Sequence, residues 1–154
     1  MPLTINYHLD FHGWADLHVN HGQQRVRMTV SYLRDTLSEL ITAANLLLQG
    51  AQEAKVLAMD EPGEHLIYLQ ALPEGKLLVE IRWFKDWASW DIITEKEFQV
   101  VFKCEDTVLN FSTEVFENAR RILEKEGVKR YREKWVENDF PVDGYNRLKL
   151  LLEK

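Results

Sequence analysis

The apolar residues of this chain change their spacing twice, and that change limits the fold more than any other feature. From Tyr7 to Met28 they fall at every second position, and from Leu37 to Leu48 at the three- and four-residue steps of a helix. From Lys55 to Phe84 they return to every second position. A period of two buries one face of a strand, whereas a period of about 3.6 buries one stripe of a helix. A chain that moves from strands to a helix and back to strands is neither a helical bundle nor a coiled coil.

The register of the first strands follows from their turns. Tyr7, Leu9 and Phe11 alternate with His8, Asp10 and His12. A three-residue turn at His12-Gly13-Trp14 sets Phe11 opposite Ala15, Leu9 opposite Leu17 and Tyr7 opposite Val19, with every apolar residue on one side. A two-residue turn at His12-Gly13 would carry Asp16 and His18 onto that side, because a one-residue slip exchanges the faces of a strand. The next turn, Asn20-His21-Gly22-Gln23, uses Gly for a positive φ. It pairs Leu17 with Val26, Ala15 with Met28, Asp16 with Arg27 and His18 with Arg25. The N-terminal third therefore reads as a three-stranded meander.

A helix follows, capped by Asp35 or Ser31 and ended by Gly50, with Leu37, Leu40, Ile41, Ala44, Leu47 and Leu48 inward. Strands are expected at Lys55–Asp60, His65–Leu72 and Lys76–Phe84, joined at Glu61-Pro62-Gly63-Glu64 and Pro73-Glu74-Gly75. A further strand, Phe98–Cys104, places Phe98, Val100 and Phe102 on one side. Ser112 caps a second helix that buries Val115, Phe116, Ala119, Ile122 and Leu123 and closes at Gly127. Two short helices complete the tail around Tyr131-Trp135 and Tyr145-Leu148-Leu151-Leu152. The expectation is one α+β domain over residues 1–154: an antiparallel sheet, the meander plus about four further strands, with helices packed on one face.

Composition excludes several classes. The 154 residues are 45% hydrophobic and 29% charged, a globular balance. The start, MPLTINYHLDFH, alternates instead of presenting an apolar run behind positive charge, which argues against a signal peptide. The longest apolar stretch, Leu33 to Gly50, holds Arg34, Asp35, Glu39 and Asn45, which argues against a membrane span. A lone Cys104 suits a reducing compartment, so a cytoplasmic protein is expected. The net charge of −6 is concentrated: residues 86–117 hold eight acids against Lys96 and Lys103. Nucleic acid needs a basic footprint and is a poor fit to this chain, whereas a basic protein partner is its natural complement.

Four clusters could carry chemistry. His8, His12, His18 and His21 stand beside Asp10 and Asp16, and the register above sets His8 opposite His18 and Asp10 opposite Asp16. Such a face could hold a divalent metal or an acid/base pair. It also carries Arg25 and Arg27, which answer His18 and Asp16 as cross-strand partners. No four-ligand zinc spacing is present, so no metal, cofactor or catalytic residue is assigned. Cys104 sits beside Glu105 and Asp106, which raise a thiol pKa, and reads as a small buried side chain. The stretch Lys129-Arg130-Tyr131-Arg132-Glu133-Lys134-Trp135 places Val128, Tyr131 and Trp135 on one helical face, leaving its basic residues as the solvated side. In Trp83-Phe84-Lys85-Asp86-Trp87-Ala88-Ser89-Trp90-Asp91, Trp83 continues the core face of Leu77, Val79 and Ile81. Trp87 and Trp90 then fall among acids. Asp86, Trp87, Trp90, Asp91, Glu95 and Glu97 form the candidate partner-binding segment, since tryptophan is enriched at binding hot spots. The competing reading is a lid on the sheet edge.

The order of elements resembles that of small bacterial α/β proteins of uncharacterised families: meander, helix, strands, Phe-rich strand, then a helix ending Glu124-Lys125-Glu126-Gly127 with Tyr131, Trp135 and Phe140-Pro141 behind it. Some of these resemble immunity proteins of contact-dependent or polymorphic toxin systems. The resemblance implies a cytoplasmic protein that binds and blocks one toxin domain, and it assigns no functional residue. The alternatives are an enzyme using the His/Asp face of the meander, and a homo-oligomeric structural protein.

Overall fold

The computed structural model describes residues 2–10, 12–90, 94, 96–136 and 138–154, and of Ser89 only the backbone. Its elements run β1 (Thr4–Leu9), β2 (Trp14–His21), β3 (Gln24–Ser31), α1 (Thr36–Leu48), β4 (Glu53–Met59), β5 (Glu64–Ala71), β6 (Lys76–Phe84), β7 (Gln99–Thr107), α2 (Val108–Lys134) and α3 (Val142–Leu152). The fold is α+β, with the expected meander at its start. The strands form two antiparallel sheets rather than one, ordered β1-β2-β3 and β4-β5-β6-β7. β3 touches both outer strands of the second sheet, β4 and β7, so it lies across that sheet instead of extending it.

Both hairpin registers differ from expectation by two residues. Leu9 faces Ala15, Tyr7 faces Leu17 and Ile5 faces Val19. In the second hairpin Leu17 faces Met28, Val19 faces Val26 and Ala15 faces Val30. The expected partner of Ala15, Phe11, lies outside the described residues. A shift of two leaves every side chain on its original face, so the apolar pattern cannot distinguish the two registers. Docking of the first turn decides instead. Gly13 donates its N–H to the Lys134 carbonyl at 2.8 Å and accepts from the Tyr32 N–H at 2.7 Å. A Cβ at Gly13, where φ is +78°, would stand 2.6 Å from the Tyr32 ring and 2.8 Å from Val136. Asp16 and Arg27 still form an ion pair, at 3.2 Å, but as diagonal neighbours across β2 and β3.

Helix α1 begins as its sequence demands, with the Asp35 carboxylate accepting from Ser38 N–H. Helix α2 starts earlier than expected. Thr107, at the end of β7, accepts from Asn110 N–H at 3.0 Å, and Ser112 is a buried residue within the helix. Gly127 (φ +74°, ψ 171°) does break the helix, which then resumes. The restart buries Tyr131 and Trp135 but leaves Val128 exposed, correcting the shared face expected of the three. The inner faces of the two sheets meet α1 and α2 in one apolar cluster that includes Leu17, Val79, Ile81, Leu40, Phe111 and Val115. α3 completes it with Tyr145 and Leu148.

The free edge of β1 is closed by side chains of α2. Ile5 N–H bonds Glu114, and Asn118 both donates to Ile5 O and accepts from Tyr7 N–H. Asp106, at the end of β7, and Asn110 do the same for Leu3, and Arg121 bonds Tyr7 O. Four helical residues rise about 6 Å and two strand residues about 6.7 Å, so a polar stripe along a helix can follow every second residue of an edge. The edge of β4 is closed in the same way at Leu57, by Thr36 Oγ1 on its carbonyl and Glu39 on its N–H.

Candidate functional site

The expected binding segment leaves the end of β6. Leu77, Val79 and Ile81 point inward as predicted, but Trp83 is half-buried and Phe84, on the opposite face, is buried instead. The reason is that the following residues fold back over the outer face of the sheet, where Ala88 is buried. Trp83 lies against His65, ring centroids 4.7 Å apart, and over Gly63, where a Cβ would meet the indole at 2.2 Å.

Asp86 closes the turn by accepting the Trp87 N–H at 2.8 Å. The Trp87 indole N–H is shared by the carbonyls of Asp60 (2.8 Å) and Gly63 (3.0 Å), which ties the segment to the β4–β5 turn. Trp90 meets Trp87 edge-on at 4.6 Å and stays 49% exposed. Asp86, Trp87 and Trp90 are thus brought together, with one ring anchored and the other presented to solvent. Glu97 is exposed just ahead of β7. Asp91 and Glu95, also expected here, lie outside the described residues.

Burial against Trp83 pushes the His65 imidazole down to about 4, outweighing the opposite pull of Asp60. Neutral His65 therefore packs as an aromatic beneath this segment.

Sequence reasoning missed two neighbours. One is a cavity of about 270 Å³ lined by Arg34, Glu39, Lys55, Leu57, Glu64, Leu66, Arg82, Phe84 and Ala88. Its residues come from β4, β5, β6, the start of α1 and flanking loops, so no sequence spacing could have collected them. Its arginines are answered locally, Arg34 by Glu39 and Arg82 by Glu80, each at 2.6 Å. The other is an exposed apolar strip at the start of β7. An extra residue in β7 opposite the Ile81–Arg82 step puts Val100 opposite Arg82 on the outer face. Phe98 also lies there, over the Arg82 guanidinium, so neither shares the inward face of Phe102 as expected. The run of β-branched and aromatic residues was the signal, but a bulge cannot be read from alternation.

The other clusters are placed differently from their sequence reading. His8 faces Asp16 and Asn6 faces His18, so the expected His8–His18 pairing is absent. Among the described residues no three His, Cys, Asp or Glu side chains converge as metal ligands. Burial, aided by Asp106, pushes the Cys104 thiol up to about 11, far from a reactive thiolate. In the basic stretch Arg130 and Lys134 pair with Glu126, and Arg132 with Asp139. No helix among the described residues is long and apolar enough to cross a membrane. Compared with protein families, with characterised proteins and with solved structures, the chain matches none.

Proposed function

We propose that this chain is a protein-binding module whose partner is a basic domain, and that its specific role is that of a cytoplasmic immunity protein neutralising a toxin. The observation that carries the reading is the Trp87–Trp90 pair. An indole held by two backbone carbonyls supports a second that is half exposed, beside the acid-rich stretch of the chain. A rigid, partly solvated aromatic supplies apolar contact area at little entropic cost, and surrounding carboxylates steer a basic partner. The reading is tested by binding kinetics against basic toxin domains. Trp90→Ala should raise the off-rate more than tenfold, a loss of about 2 kcal/mol, while leaving the melting temperature unchanged. A Trp90→Ala protein that unfolds, or that binds as tightly as the parent, would show the segment to be a lid.

A further inference from the structure

We infer that the cavity on the outer face of β4, β5 and β6 is a binding site for a small organic acid, one carboxylate carried on an apolar body. The inference stands apart from the partner-binding reading, because Trp90 is not part of the cavity's lining. Strand register lays the floor of the cavity in rows. Lys55 stands opposite Tyr68, then Leu57, Leu66 and Arg82 align in the next row, and Glu64 and Phe84 in the row after. The outer face of an antiparallel sheet is normally polar. Leu57 and Leu66 instead give this one an apolar, half-buried centre. The two ends of the cavity differ. Phe84 is buried at one end, and so is Ala88, in the segment that Trp87 ties to the β4–β5 turn. Lys55 is exposed at the other.

Three cations stand around the apolar centre. Arg34 is fixed at the level of Leu57, because Glu39 takes the Arg34 Nε–H on one oxygen and the Leu57 N–H on the other. Arg82, on the opposite flank, is held by Glu80, and its guanidinium lies 4.8 Å from the centre of the Tyr68 ring and 4.6 Å from that of Phe98. Both arginines are therefore positioned before any ligand arrives, which lowers the entropic cost of binding. Each is bonded through Nε, and among the described residues no carboxylate or carbonyl takes its terminal N–H groups. Those groups form a planar edge that matches a carboxylate. Lys55 is in no ion pair among the described residues.

Charge and space select the ligand. Glu39 and Glu80 offset two of the three cations, which leaves one positive charge at the open end. Glu64, fully buried at the other end, is already engaged within the chain. One net charge suits a carboxylate, whereas a phosphate monoester, close to a dianion at neutral pH, exceeds it. A cavity of about 270 Å³ lies at the small end of ligand sites, so the apolar body is one ring or a branched chain, seated toward Phe84.

Phenylacetate is the probe, titrated into the isotope-labelled protein and followed by backbone amide shifts. It should bind with a Kd on the order of 1 mM or below, with the shifts gathered at Leu57, Leu66 and Ala88. Phenylacetamide, which lacks the charge, and acetate, which lacks the body, should each bind at least tenfold more weakly. Lys55→Gln and Arg34→Gln should each weaken phenylacetate about fivefold, whereas Lys149→Gln, on α3, should not change it. Shifts scattered over the surface, equal binding of phenylacetamide, or tighter binding of phenyl phosphate would overturn the inference, as would indifference to both Lys55→Gln and Arg34→Gln. Trp90→Ala should leave phenylacetate binding intact, so failure here and failure of the partner-binding reading are separate results.

Discussion

Tyr7, Tyr131 and Trp135 are fully buried, yet neither phenol hydroxyl nor the indole N–H has a hydrogen-bond partner among the described residues. Burial, with Asp35 nearby, holds both phenols well above their ordinary range. Such groups carry a desolvation cost with no return, so Tyr131→Phe should stabilise the fold by about 1 kcal/mol, seen as a higher urea midpoint with unchanged slope. His65 gives a pH prediction. Well above pH 6.5 it is neutral both folded and unfolded, and its packing is fully retained. As pH falls from about 6.5 toward about 4 the unfolded chain gains a proton that the folded chain refuses, so stability declines with acid, by at most about 3 kcal/mol. His65→Phe should flatten that part of the profile in urea unfolding at pH 7.5 and 4.5. Neither effect was legible in the sequence, because an aromatic hydroxyl or imidazole reads the same whether or not a partner awaits it.

The helices show how polar residues can belong to the interior. Along α2, Asn110, Glu114, Asn118 and Arg121 have the spacing of a solvated stripe, but they face the edge of β1 and complete its hydrogen bonding. Asn118→Ala would orphan the Ile5 carbonyl and the Tyr7 N–H together and should cost about 2–4 kcal/mol by denaturant titration. Thr113→Ala, on the exposed side, should cost under about 0.5 kcal/mol. Helix positions, the Asp35 cap and the breaks at Gly50 and Gly127 were legible, because each depends on residues within a turn or two. The start of α2 was not. Thr107 and Ser112 are both competent caps, and the choice was made by where β7 could no longer pair.

For the whole molecule, the stretch of sequence that holds Trp87 and Trp90 also holds Asp86 and Glu97, which makes a kinetic prediction for any basic partner. Asp86→Asn with Glu97→Gln should lower the on-rate and flatten its salt dependence while leaving the off-rate nearly unchanged. The α+β class, the strand and helix order and the buried face of each hairpin follow from the sequence alone, because the two periods are local and a strand has only two faces. The charge segregation and the isolation of Trp87 and Trp90 from any apolar pattern were equally plain. Only the tertiary structure decided the two-residue shift of both hairpins, since registers two apart bury the same side chains, and the observed one is the register in which Gly13 docks on Lys134 and Tyr32. It likewise decided that the strands divide into two sheets, because β3 crosses β4 and β7 instead of pairing with either. Which of two adjacent tryptophans is anchored and which is presented was settled by two backbone carbonyls of the β4–β5 turn, more than twenty residues away in the chain. Such choices rest on contacts between distant segments, and spacing within a single segment carries no record of them.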